Sequence, residues 1–294
     1  MIRLDAATVL LQWATGGLAF LWVTSRRREV GIGYGWLLRI SFGVLAAAAV
    51  VAGRLGDAVA GRDVAAAAVA TAAVVALAVS IVRRRAGVAG ERARERRKSA
   101  RVAAMVGSGD QAGPGSEAVS AGAPEADERR EFPPAFDLVA PLIGIVGLVL
   151  AALHAGGPPP LAVARTLVGA AFLGAVTDAM LLGHWYLVQP GLDRQPLLEL
   201  IRWLALLWPV EVAVLLWPTG MLSALSGSVD DGWGGTLGWF WVACAVTTLV
   251  LTGVTRAALR ERYYSAVMAA TGLLYLAILT AFGTDLVARA ILAG

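Results

Sequence analysis

Residues 6–28 read AATVLLQWATGGLAFLWVTSRRR, an apolar run that passes directly into three arginines. As an α-helix, the part up to Thr24 would extend about 28 Å, which matches a bilayer hydrocarbon core of about 30 Å. Arginines beside such a run are retained on the cytoplasmic side of the membrane. Because the N-terminus lacks the basic region and the small-residue cleavage site of a secretory signal, we predict a retained membrane anchor.

Similar runs recur along the whole chain. Of the 294 residues, 58% are hydrophobic and 16% are charged, whereas soluble proteins carry about 25% charged residues. A water-soluble fold could not cover this much apolar surface, because part of any globule must face water. We therefore predict an all-α, polytopic integral membrane bundle of about eight transmembrane helices, at 6–24, 35–53, 64–82, 135–155, 161–187, 196–217, 236–255 and 264–290.

The arginines predict the orientation of these spans. Eighteen of the 25 basic residues fall in the alternate connections 25–34, 83–134, 188–195 and 256–263, and only four fall on the other side. The positive-inside rule places the basic connections in the cytoplasm, so both termini lie outside. We expect a multi-pass protein of the plasma (inner) membrane of a bacterial cell.

The chain divides at a polar segment. Residues 1–82 form a three-helix membrane segment whose spans are nearly free of polar groups, and 135–294 form a five-helix segment whose spans hold most of them. Between them, 83–134 is first basic and then acidic, with too little apolar surface to fold, so we predict a disordered cytoplasmic linker. Its basic part, from Arg83 to Arg101, is expected to bind anionic lipid headgroups.

The sequence excludes or restricts one partner, nucleic acid, and two cofactors, haem and a Cys-based metal cluster. The isoelectric point of about 9.7 suggests nucleic acid, but the basic residues lie beside apolar runs, where they set topology, so no nucleic-acid partner is predicted. The two histidines, His154 and His184, fall near opposite ends of their spans, about 30 Å apart, which excludes a haem held by both within one chain. With only one cysteine, Cys244, no Cys-based metal cluster is possible.

Ionisable residues concentrate in the fifth and sixth spans, in residues 177–211, TDAMLLGHWYLVQPGLDRQPLLELIRWLALLWPVE. A short turn joins the two spans, so they are expected to form an antiparallel hairpin. Counting residues from this turn places four side chains at similar depth in the cytoplasmic half, and Trp185 and Tyr186 supply aromatic walls. The predicted binding cluster consists of Asp178, His184, Glu199 and Arg202. A helix-packing salt-bridge network would use the same four residues, and Trp185 and Tyr186 equally suit an interface belt.

Three functions are compatible with this cluster. The first is a membrane subunit that binds a quinone or a similar lipid beside a redox partner, with His184 or Asp178 exchanging protons and Arg202 holding a carbonyl oxygen. The second is a proton-coupled transporter or channel in which Asp178 and Glu211 carry protons at different depths. The third is a non-catalytic scaffold or assembly factor whose polar residues only order the helices.

Other ionisable residues near the span ends have simpler interpretations. Arg39 lies one turn inside the second span and is expected to extend to the cytoplasmic surface. Asp285 and Arg289, near the outer end of the last span, are expected to form a surface pair.

Overall fold

A computed structural model of the chain describes residues 4–83, 132–189, 192–229, 232–261 and 263–293. The predicted linker therefore lies almost entirely outside the described residues, as does its lipid-binding basic part beyond Arg83. We name the two ends of the bundle by the predicted orientation. The cytoplasmic end is the one that carries Arg26 to Arg28, and the opposite end is the outer end.

Every regular element among the described residues is helical, which confirms the all-α prediction. A 3-10 turn over Pro134–Leu138 leads into the fourth helix, and a short helix of six residues, Gly220–Leu225, lies at the outer end. The helices are α1 (Ala6–Ser25), α2 (Ile32–Leu55), α3 (Ala60–Val82), α4 (Val139–His154), α5 (Pro159–Val188), α6 (Gln195–Leu216), α7 (Gly220–Leu225), α8 (Thr236–Ala258) and α9 (Tyr264–Leu292).

Seven of the helical segments in the described part of the chain are long and apolar enough to cross a membrane, so the protein is a polytopic membrane bundle. They correspond to seven of the eight predicted spans. The remaining prediction falls on α6, whose 22 residues extend about 33 Å. That helix carries three charged residues, Glu199, Arg202 and Glu211, whereas each of the other seven carries at most two. A crossing by α6 stays a prediction.

The centre of the bundle is formed by α1 and α5. Their most apolar windows are 61% and 72% buried within the protein, against 33% for α3, α8 and α9, which leave more surface for lipid. Besides α5, α1 packs on α2 and α4, while α5 also packs on α6 and α9. The helices on either side of the predicted linker are therefore in direct contact.

Small residues allow the two central helices to approach closely. Gly16 of α1 faces Ala170 and Gly174 of α5, and a Cβ atom at Gly16 would overlap the Ala170 carbonyl oxygen. Trp13 crosses the same interface and donates from its indole nitrogen to the Thr177 hydroxyl over 2.9 Å. Close backbone packing of this kind is typical of membrane helices, where lipid offers no hydrophobic driving force between them.

Arg39 is buried at the cytoplasmic end, so the prediction that it extends to the surface is wrong. Its guanidinium donates to both carboxylate oxygens of Asp137, over 2.9 and 2.8 Å, and the Ser25 hydroxyl donates to the same carboxylate. The charge is paired inside the protein, which removes the need to reach water. This contact ties the start of the fourth span to α1 and α2.

Arg62 forms a similar buried contact at the outer end. It is 1% exposed and pairs with Asp5, which precedes α1, and with Asp63 beside it. Together with Arg39, it shows that the first three helices contain buried charges that are paired within the protein.

Candidate functional site

The predicted hairpin of α5 and α6 is present in the structure. At its cytoplasmic end the Tyr186 hydroxyl donates to the Asp193 carbonyl over 2.5 Å. At the outer end Arg165 donates from Nε to the Val214 carbonyl over 2.8 Å. These two contacts show that the helices run antiparallel and remain in contact along their length.

The four side chains of the predicted cluster do not form one pocket. Glu199 forms ion pairs with Arg26 and Arg27 at the end of α1, so it does not pair with Arg202. Arg202 is exposed on the outside of the bundle and makes no hydrogen bond or ion pair with a described residue. Only Glu199 and Arg202 stay together, on the wall of an open groove of about 220 Å³.

His184 and its aromatic neighbours face other parts of the bundle. His184 is exposed, and its Nδ1 lies 3.2 Å from the Tyr275 hydroxyl on α9. The Trp185 indole donates to the side chain of Gln189, while Tyr186 is buried and holds the turn through Asp193. Each of these side chains has a structural role here, and ligand binding by them stays a prediction.

Asp178 differs from the other predicted residues, because its buried carboxylate has no partner in the described structure. It is 0% exposed, and neither carboxylate oxygen has a hydrogen-bond partner among the described residues. It lies ten residues inside the cytoplasmic end of α5, or about 15 Å. Nearby, the Tyr34 hydroxyl donates to the backbone carbonyl of Asp178 and leaves the carboxylate unpaired.

A second polar cluster, which we call the outer cluster, lies in the other half of the bundle. Its residues come from four different helices, and each lies about 4 to 11 Å from the outer end of its helix. All of them are at most 4% exposed. They are Gln12 of α1, Arg165 of α5, Glu211 of α6, and Asp285 and Arg289 of α9.

Hydrogen bonds connect three members of the outer cluster. Arg289 donates from Nε to Asp285 over 2.7 Å and from Nη2 to the amide oxygen of Gln12, whose amide nitrogen lies 3.4 Å from Asp285. Asp285 and Arg289 are both 0% exposed, so the prediction of a surface pair is wrong. The pair is buried because α1 and α5 cover this face of α9, and Gly169 leaves room for the network.

Glu211 is the member of the outer cluster that lacks a partner. Its carboxylate is 0% exposed, and neither oxygen forms a hydrogen bond with a described residue. It lies within electrostatic range of Asp285, Arg289 and Arg165. Arg165 uses its guanidinium on the backbone carbonyls of Val214 and Trp217, over 2.8 and 2.6 Å, so it contributes charge to Glu211 without a direct contact.

A small cavity of about 20 Å³ connects Arg289 with the outer surface groups, and this volume has room for one water molecule. Arg289 lines it, and Nη1 of Arg289 has no hydrogen-bond partner among the described residues. The cavity therefore lies between Arg289 of the outer cluster and polar residues at the outer end of the bundle. Its polar lining includes Asp5, Thr8, Arg62, His154 and Thr166.

The sequence indicated Glu211, Asp285 and Arg289 as ionisable residues, but it did not connect Glu211 with the other two, and Gln12 was missed. The signal that connects these residues is the distance of each one from the outer end of its helix. Counted from the outer helix ends, Gln12, Glu211 and Asp285 are five to seven residues deep. In the hairpin of α5 and α6 this distance was considered, but α1 and α9 also carry polar residues at the same level.

The described residues contain no group of three or more His, Cys, Asp or Glu side chains that could hold a metal ion. His154 ends α4 at the outer end, whereas His184 lies near the cytoplasmic end of α5. The two histidines are thus separated by most of the bundle thickness.

The fold and the buried charges define a multi-pass, all-α integral membrane protein, in which the carboxylates of Asp178 and Glu211 are buried without a partner among the described residues. No protein-family model matches the chain, and no curated protein or solved structure is significantly similar to it.

Proposed function

We propose that the protein moves protons across the membrane, as a proton-coupled transporter or channel, with Glu211 as the proton-exchanging group of its outer half. The observation that carries this proposal is the Glu211 carboxylate, which is fully buried and lacks a hydrogen-bond partner among the described residues. A charged residue inside a bilayer costs at least about 2.5–3.5 kcal/mol, so ionisable groups there usually serve a pathway.

The surroundings of Glu211 suit reversible proton uptake. Arg165 and Arg289 place positive charge near Glu211 and Asp285 places negative charge there, in a site that is fully buried. Asp285 is already neutralised by its ion pair with Arg289 and by Gln12. Glu211 is therefore the carboxylate of the cluster whose protonation state can change without breaking a hydrogen bond.

The cavity beside Arg289 supports exchange with the outer solution. One water molecule in it would contact Arg289, and Asp5 and His154 lie on the same wall. In this proposal the protein exchanges protons between the outer solution and the outer cluster in the conformation described.

Asp178 is proposed as the second proton-carrying group, in the cytoplasmic half. It lies nine residues beyond Gly169 on α5, about 14 Å deeper than the outer cluster. Because this distance is too long for one proton transfer and Asp178 is fully buried, transport requires either intervening water or a second conformation that opens toward the cytoplasm.

The other two hypotheses receive less support. A quinone pocket was expected to need Asp178, His184, Glu199 and Arg202 together, and only the last two share a groove. A scaffold would explain the paired charges of Arg39 and Asp285, but it leaves Asp178 and Glu211 without a reason to be charged residues. We therefore place proton transport before quinone binding and scaffolding.

Proton uptake by proteoliposomes tests the proposal. The purified chain is reconstituted with a pH-sensitive dye inside, and a potassium gradient with valinomycin imposes a negative interior potential. We expect proton entry at a rate clearly above that of protein-free liposomes, because the potential drives protons through the pathway. A rate equal to that of protein-free liposomes at every imposed potential would contradict proton movement by this protein.

A further inference from the structure

The groove between α1 and α6 carries an excess of positive charge that no described residue neutralises. It is lined by Arg27, Gln195, Glu199, Arg202, Trp203 and Leu206, and Arg26 borders it through its ion pair with Glu199. Three arginines therefore surround one carboxylate. Glu199 is used by Arg26 and Arg27, so the charge of Arg202 has no partner among the described residues.

The position of Arg202 makes this excess significant. It lies seven residues inside the cytoplasmic end of α6, about 10 Å along the helix, and it is exposed on the outside of the bundle. With α6 predicted to cross the membrane, the long side chain of Arg202 extends toward the membrane boundary, where an anion would neutralise its guanidinium. The headgroup phosphate of a phospholipid occurs at that level.

The groove continues into an apolar surface. Trp203 is 39% exposed and Leu206 is 63% exposed, and their spacing on α6 puts them on the same side of the helix. A molecule with an anionic head and an apolar tail matches this sequence of groups from the cytoplasmic end inward.

We propose that this groove binds one anionic phospholipid, with its phosphate between Arg27 and Arg202 and an acyl chain on Trp203 and Leu206. Arginine suits this role because its planar guanidinium can donate two parallel hydrogen bonds to a phosphate. The groove volume of about 220 Å³ accommodates a headgroup, while the chain lies in the bilayer. The proposal does not depend on proton transport.

Native mass spectrometry of the full chain, in micelles with equal amounts of phosphatidylglycerol and phosphatidylcholine, tests this site. Wild-type protein is expected to retain phosphatidylglycerol in preference to phosphatidylcholine. Arg202→Gln is expected to weaken phosphatidylglycerol binding about tenfold, because a charge-assisted contact is lost. Arg202→Lys, which keeps the charge, is expected to retain most of the binding.

Arg256→Gln is the matched control, since Arg256 is an exposed arginine at the same predicted end of the bundle, near the end of α8. It is expected to leave phosphatidylglycerol binding unchanged. Three results would overturn the proposal: equal retention of the two lipids by wild-type protein, equal losses in Arg202→Gln and Arg256→Gln, or replacement of the phospholipid by an added quinone. Unchanged thermal unfolding of Arg202→Gln verifies that its fold is intact.

Discussion

Glu211→Gln is expected to lower proton uptake by proteoliposomes about a hundredfold or more, a typical loss when a proton-transferring side chain is removed. Glutamine fills nearly the same space and cannot take up or release a proton. Because Glu211 forms no hydrogen bond with a described residue, the substitution breaks none of the described contacts. The fold is therefore expected to survive, and thermal unfolding measured by tryptophan fluorescence verifies this.

Two variants control for effects unrelated to the outer cluster. Glu261→Gln removes an exposed carboxylate between α8 and α9 and is expected to leave proton uptake unchanged. Glu211→Asp keeps a carboxyl group on a shorter side chain and is expected to restore a measurable part of the rate. If Glu211→Gln and Glu261→Gln both transport at the wild-type rate, Glu211 is not part of the pathway.

Asp137→Ala is expected to lower the free energy of unfolding by about 3–5 kcal/mol, because it leaves the Arg39 charge buried without its partner. The side chains of this pair are 3% and 1% exposed. Their contact also fixes Ser25 at the end of α1, so its loss loosens the cytoplasmic end of the bundle. Unfolding in detergent, followed by tryptophan fluorescence against denaturant, measures the change.

The double variant Arg39→Met with Asp137→Leu separates the loss of an interaction from the burial of an unpaired charge. Replacing a buried ion pair by apolar residues of similar size is often neutral or stabilising. We therefore expect the double variant to be more stable than Asp137→Ala. A loss below about 1 kcal/mol in Asp137→Ala, the range of exposed pairs, would show that Arg39 reaches water or lipid headgroups instead.

The helices were predictable from the sequence because membrane spans depend on local properties, length and apolar composition. The first run, from Ala6 to Thr24, corresponds to α1, and the charge-free run after Tyr264 begins α9. The antiparallel hairpin of α5 and α6 was equally predictable, since the connection between them is short.

The partners of buried charges were not predictable in the same way, because they depend on how each helix is rotated and which helix it faces. Glu199 and Arg202 are three residues apart and could have paired along α6. In the structure the neighbour of Glu199 is the end of α1, 173 residues away in sequence. The position of Asp178 along α5 agrees with its burial in the structure. Position along the helix does not show which face of α5 carries His184.

The outer cluster shows the same limit at longer range. Gln12 and Arg289 are 277 residues apart and form one hydrogen-bonded network with Asp285. Nothing in either local sequence indicates that α1 covers α9 at this level. The network also depends on Gly169 of α5, where a Cβ atom would overlap the Gln12 amide nitrogen and the Asp285 carboxylate.

Proton transport through this protein depends on reversible protonation of Glu211. Infrared difference spectroscopy of the reconstituted protein measures the protonation of this carboxyl group. Buffer of rising pH is passed over membranes containing wild-type protein or Glu211→Gln. Wild-type protein is expected to show a carboxylic acid carbonyl band that disappears as the pH rises, and this band is expected to be missing from the variant. Superimposable difference spectra of the two proteins would contradict this expectation.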